Sequence, residues 1–199
     1  MQRTLSLVLV AGLTTSAMAQ KLLVKSGNFQ ELKSEKELDL EFTFDNMTVG
    51  KYAEADYIAK KKTEYNDKEP GRGEKFEASW IADRESRFAP KFEVLFNDEG
   101  SMIKGLRGTA GAKYVLVVNT TRTEPGWNIG ISKQAAFIDV EYRLREKATG
   151  TVVAEAIMVG IPGSQFGGYD YDTGTRLAES YAKAAKELRK WLLKNVYGK

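Results

Sequence analysis

Two segments of this chain alternate apolar and polar residues with a period of two. Leu38, Leu40, Phe42 and Phe44 interleave with Asp39, Glu41, Thr43 and Asp45; Ile138, Val140, Tyr142 and Leu144 interleave with Asp139, Glu141, Arg143 and Arg145. Each pattern turns one face of a strand to a core and the other to water. A third pattern has a helical period. Leu177, Tyr181, Ala184, Ala185, Leu188, Leu192 and Val196 fall on one stripe near the C-terminus. Half-wet strands and one long amphipathic helix imply a sheet whose apolar face lies against helices.

The remaining segments fill in that outline. Leu22-Leu23-Val24 reads as a short strand, and Asn46 to Gly50 as a turn. Tyr52 to Tyr65 reads as a helix with a thin apolar face. After the break Glu69-Pro70-Gly71-Arg72-Gly73, a second helix begins near Glu74, with Phe76, Trp80, Arg84 and Phe88 spaced four apart. Pro90 lacks an amide donor, which predicts a kink or restart before the apolar set Phe92, Leu95 and Phe96. Gly105 to Gly111 reads as a glycine-rich connector. Tyr114 to Val118 is almost continuously apolar, as in a central strand covered on both faces. Thr120 to Thr123 then leads into a loop at Glu124 to Asn128. Ala148-Thr149-Gly150 closes a hairpin whose return strand is Val152 to Val159, and Pro162 to Gly168 reads as a loop. Asp172 or Thr173 caps the last helix. The expected fold class is α+β: a single domain over residues 20–199, with a mixed, mostly antiparallel sheet packed against helices and a long C-terminal amphipathic helix.

Residues 1–19 have the form of an export signal. Arg3 supplies the positive start, Leu5 to Leu13 an apolar stretch too short to span a bilayer, and Ala17-Met18-Ala19 a small-x-small cleavage site. The expected location is therefore the periplasm or the medium. The formal net charge is +3, and Arg3 is the one charged residue of the signal, so the remaining 180 residues carry +2. That balance gives no electrostatic footprint for nucleic acid. No later stretch has the length and hydropathy of a membrane span.

The chain contains neither cysteine nor histidine. An exported domain of this size can fold on its core without disulfides. The two zeros also exclude Ser-His-Asp and Cys-His nucleophiles, and zinc sites of ordinary composition. No lipobox cysteine is present for a lipid anchor. Carboxylate, Ser-Lys, Tyr or Lys chemistry and oxygen-bound hard cations remain. No cofactor and no metal are expected.

Gly111-Ala112-Lys113-Tyr114-Val115-Leu116-Val117 resembles a strand of the exported CsgG-like and TolB N-terminal-like modules. Phe137 to Ala154, through Ala148-Thr149-Gly150, resembles their hairpin, and a terminal Ala/Leu/Lys helix follows in the same order. The opening strand before Asn46-Met47 is similar to their first strand. The resemblance implies an α/β module of the bacterial envelope that acts as an accessory or assembly partner. The chain also resembles exported proteins of Bacteroidetes. Unlike curli-secretion pores it lacks the lipobox cysteine, and Glu124 to Gln134 is too short for a membrane-inserting hairpin, which disfavours a pore.

Several constellations are candidate sites. Asp170-Tyr171-Asp172-Thr173-Gly174 is either a calcium loop or, more simply, a helix cap. Gly71-Arg72-Gly73 is either an anion nest or a helix-helix turn, with the turn favoured. Trp127, with Glu124, Pro125 and Asn128, is either a recognition loop or a tryptophan folded over a sheet edge. Arg84, Glu85 and Arg87 read as ordinary ion-pair partners, and Trp80 and Trp191 as core. Neither Ser132-Lys133 nor Ser34-Glu35-Lys36 has catalytic Ser-x-x-Lys spacing. The expected binding residues are Glu124, Trp127, Asn128, Tyr169, Asp170 and Asp172, with no catalytic residue. The expected function is a soluble, non-catalytic binding or accessory protein with an envelope protein as partner and no nucleic acid. The alternatives are a carboxylate-based hydrolase and a small-ligand or calcium-binding protein.

Overall fold

A computed structural model describes residues 21–128, 133–163 and 172–199. The export-signal segment and the site candidates Tyr169 and Asp170 lie outside them. The described residues form an α+β domain built on one mixed sheet.

The chain begins with β1 (Leu23–Gly27), a single 3-10 turn (Gln30–Lys33) and β2 (Glu37–Thr43). A short hairpin of β3 (Thr48–Val49) and β4 (Tyr52–Ala53) leads into α1 (Glu54–Asn66). Tyr52 and Ala53, which read as helical from sequence, are thus strand residues before the helix. Next come α2 (Arg72–Asp83), a π-helical turn (Arg84–Phe88) and α3 (Ala89–Phe96). The second half comprises β5 (Lys104–Leu106), β6 (Tyr114–Glu124), the pair β7 (Trp127–Asn128) and β8 (Lys133–Gln134), β9 (Phe137–Glu146), β10 (Val152–Pro162) and α4 (Thr173–Asn195).

The main sheet runs β1-β10-β9-β6-β2-β5, with β3 joining β6. The β1/β10, β10/β9 and β9/β6 pairs are antiparallel, whereas β2 is parallel to both β5 and β6. Leu40, Leu116 and Leu144 lie in one register row, and Phe42, Val118 and Tyr142 in the next. These rows form the core face with the stripe of α4, which packs across β9 and β10 and against α3. All seven predicted stripe residues of α4 are buried. Each fully buried aliphatic side chain of this kind contributes about 1.5–3 kcal/mol.

The interruption expected at Pro90 takes an unexpected form. Proline cannot donate to the carbonyl of Ser86, and its ring crowds that carbonyl. The helix widens to a π turn over Arg84–Phe88 and continues, with Pro90 in the first turn of α3. The apolar positions still face inward: Phe88, Phe92 and Phe96 are buried, and Phe88 stacks on Tyr181 with centroids 4.7 Å apart.

The structure corrects two loop assignments. The connector Gly105 to Gly111 begins inside β5, whose Lys-Gly-Leu sequence carries no strand pattern. Its support is tertiary. The Asn97 amide donates to Gly105 O at 2.6 Å and accepts from Gly105 N at 2.8 Å, and a Cβ at Gly105 would meet the Phe96 ring at 2.7 Å. The loop read at Glu124 to Asn128 is in part strand: Glu124 ends β6, beyond buried Thr120 and Thr123, and Trp127–Asn128 form β7. Among the described residues no helix is long and apolar enough to cross a membrane.

Candidate functional site

The features of α2 define a cleft. Phe76 and Trp80 pack with Tyr57 and Tyr65 of α1 in a chain of tilted and edge-on aromatic contacts 5.2–6.3 Å between centroids. The helices meet closely because Gly73 has no side chain; a Cβ there would stand 2.5 Å from Lys62 O. Gly73 N also donates to Asn66 Oδ1 at 2.8 Å, so the glycine segment is a helix-helix turn in this fold. Trp80 is buried as expected, and its Nε1 donates to Glu54 Oε1 at 2.6 Å. Arg84, in the π turn, donates to the same oxygen and lies 4.1 Å from the Phe44 ring centroid.

Between α2, the π turn and the start of α4 lies a cleft of about 520 Å³. Tyr65, Phe76, Trp80, Phe88 and Leu177 supply its apolar lining. Two carboxylates stand at one end, Asp83 and Asp172. A single guanidinium joins them: Arg87 Nε lies 3.0 Å from Asp83 Oδ1, and its Nη1 donates to Asp172 Oδ2 at 2.6 Å. Gly174 makes the convergence possible, since a Cβ there would sit 2.1 Å from Asp83 Oδ2 and 2.7 Å from Arg87 Nη1.

The two acids differ electrostatically. Burial raises the Asp83 carboxyl above its ordinary range, against the opposing pull of Arg87 and with help from the neighbouring Asp172 charge. Burial also acts on Asp172, but the Arg87 hydrogen bond and the Thr175 and Gly174 amides outweigh it. The Asp172 carboxyl therefore lies below its ordinary range. Its Oδ1 accepts from Gly174 N at 2.8 Å and from Thr175 N at 3.4 Å, which is the expected helix cap. With Oδ2 on Arg87, both Asp172 oxygens have protein donors.

The loop candidates meet the cleft at one end of the sheet. Buried Arg176 donates to Pro125 O through Nε at 3.2 Å and Nη2 at 3.1 Å, and to Thr173 Oγ1 at 3.1 Å. This ties the Glu124 to Asn128 segment to the first turn of α4. Glu124 Oε1 accepts from Gly126 N at 3.2 Å. Trp127 pairs with Gln134 in the β7/β8 ribbon and is 45% exposed, and Asn128 pairs with Lys133. Trp191 is only partly buried, with its ring edge-on to Phe29.

Sequence reasoning found Asp172 and the loop but missed Asp83 and the groove-facing role of Phe76. One sequence signal was present. Asp83 and Arg87 are four apart, and they stand beside the helix break that Pro90 announces.

No protein-family model matches the chain, and no curated protein matches it. Among solved structures it is similar to the PelC dodecamer from Paraburkholderia phytofirmans, at 16% identity and TM-score 0.39, covering 85% of this chain and 96% of that one. A point variant of that PelC gives 12% identity and TM-score 0.38 with the same coverage. A Xanthomonas campestris protein of family DUF330 gives 12% and 0.36, covering 80% of this chain and 84% of that one. Likeness at this level assigns neither family nor function.

Proposed function

We propose that this protein is an exported, non-catalytic binding module of the bacterial envelope that takes its partner in the α2/α4 cleft and on the adjoining Glu124 to Asn128 loop. One observation carries the reading: an open cleft of about 520 Å³ with an aromatic lining ends at a carboxylate pair already held by Arg87. An apolar wall with a few convergent polar groups suits recognition. Asp172, engaged by the Arg87 guanidinium and by two helix amides, is better placed to hold charge than to pass protons. The signal-like N-terminus and the resemblance to envelope accessory modules support the same reading.

The test is capture of envelope proteins by the immobilised mature chain, compared with Ser79→Trp. Ser79 is exposed on the cleft wall, so an indole there fills the groove without entering the core. Loss of capture with an unchanged melting temperature supports the assignment; equal capture by both proteins refutes it.

A second reading, a carboxylate hydrolase, is favoured by the opposite shifts of Asp83 and Asp172 in one cleft. Asp83, whose carboxyl burial raises, would be the proton donor of the pair. Turnover of chromogenic glycosides that Asp83→Asn abolishes would establish it, and no turnover by the wild-type chain would remove it.

A further inference from the structure

The groove has a charge polarity that the cleft alone does not reveal. A shallower depression of about 220 Å³ continues from the cleft along α2, sharing Tyr65, Phe76 and Ser79 and adding Arg72 and Lys75. Arg72, Lys75, Phe76, Ser79 and Asp83 follow helical spacing along one stripe, so one face of α2 forms the wall throughout. Its ends differ in sign.

At one end Arg72 and Lys75 lie in the first turns of α2, where the helix dipole disfavours cations. The lysines of α1 all have acid partners: Lys60 and Lys61 pair with Glu64, and Lys62 with Glu77. Arg72 and Lys75 have no ion-pair partner among the described residues; Arg72 rests over the Tyr65 ring at 5.3 Å. At the other end two carboxylates share the one charge of Arg87, leaving a net negative charge. Between the ends the wall is Phe76, Ser79 and the aromatic floor.

Arg72 to Asp83 spans about 16 Å at helical rise. That equals about five residues of extended chain. We infer that the groove holds an extended peptide segment of a partner protein, with a basic side chain at the Asp83/Asp172 end, an acidic side chain at the Arg72/Lys75 end and apolar residues between. This rests on the reading of the cleft as the binding site, and it adds the class and orientation of the ligand. The aromatic floor takes the apolar middle, and each charged end meets its opposite.

The probe is a fluorescently labelled, end-blocked peptide carrying Lys and Glu separated by three leucine or alanine residues, read by fluorescence anisotropy against the mature chain. Replacing its Lys and Glu by Gln should weaken binding about tenfold or more. Asp83→Asn and the double variant Arg72→Glu/Lys75→Glu should each do the same. The decisive arm is exchange: the double variant should regain affinity for a peptide whose Glu is replaced by Lys. Arg72 and Lys75 are exposed, and an unchanged melting temperature confirms that this variant is folded.

Equal binding of the charged and neutral peptides, or no recovery on exchange, overturns the inference. No peptide binding while Ser79→Trp still abolishes envelope capture overturns the ligand class and leaves the site standing. If sedimentation shows a dimer that Ser79→Trp converts to monomer, the occupant is a second copy of this chain, and the inference is likewise overturned.

Discussion

Arg145 Nη2 donates to Glu41 Oε2 at 2.8 Å, and the bond steps over a whole strand. Arg145 stands opposite Val115 on β9, and Glu41 stands opposite Val117 on β2, so their bridge crosses β6 diagonally between the two valines. Lys147 to Asp39 at 2.8 Å and Arg143 to Asp45 at 3.4 Å repeat the step on either side. Among the described residues no helix packs on Val115 and Val117, yet they are only 4% and 6% exposed. Charged side chains with long apolar stems make the second cover of this central strand.

Removing that cover costs more than a surface ion pair is worth. Arg145→Ala should lower stability by about 1–2 kcal/mol, beyond the ~0.2–1 kcal/mol of an exposed pair. Arg145→Met, which keeps an apolar arm over the valines, should lose less than half of that. Urea unfolding midpoints of the two variants decide the point: equal losses would mean that charge, not cover, is what Arg145 supplies.

Glu54 holds two donors on one oxygen, the Trp80 indole and the Arg84 guanidinium. Glu54→Ala leaves a buried N–H without its acceptor and should cost about 2 kcal/mol. Glu54→Gln retains an amide oxygen and should recover part of the loss. Thermal unfolding of both variants, followed by tryptophan fluorescence, provides the measurement.

Gly174 is required by proximity. Its φ carries no strain, but a methyl group would collide with Asp83 Oδ2 and Arg87 Nη1. Gly174→Ala should destabilise by about 1–3 kcal/mol through overpacking. If the substitution is neutral or stabilising, as alanine ordinarily is within a helix, the close junction of α4 with Asp83 is wrong.

Asp172 predicts a pH dependence. Its folded carboxyl lies below the ordinary range, so its stabilising contribution is complete above the unfolded value of about 3.9. The contribution disappears as pH falls through the lower folded value. Asp83 has the opposite sign: its raised folded value means that protonation there favours the fold as pH falls. The wild-type advantage over Asp172→Asn should thus be constant from neutral pH to about pH 5 and shrink below about pH 4. Denaturant midpoints of the pair across that range would reveal a wrong sign directly.

Trp127 is 45% exposed in the two-residue ribbon and contributes little core. Trp127→Ala should shift the unfolding midpoint by under about 1 kcal/mol and still reduce envelope capture. Unchanged capture would remove the loop from the binding surface and leave the cleft to act alone.

Much of the frame was legible because its signals are periodic. The alternations at Leu38 to Phe44 and Ile138 to Leu144 reappear as β2 and β9, apart from end residues, and the α4 stripe is buried as read. The Asp172 cap was legible too, since an acid before a helix has few other uses. Strand β5 was not legible: three residues centred on glycine carry no pattern, and what fixes them is the Asn97 side chain. The cleft was hidden for a related reason. Asp83 and Asp172 are 89 positions apart, and nothing local marks one as the partner of the other.

By itself, then, the sequence determined which faces are apolar, where helices cap and break, and which chemistries the absence of cysteine and histidine forbids. Those properties depend on near neighbours and on composition. The tertiary structure alone decided that Pro90 widens a helix instead of ending it, that Arg145 covers the open side of β6, and that Arg87 joins two distant carboxylates at the end of an aromatic groove. Each of these depends on which segments approach in space, and that approach is set by packing of the whole core.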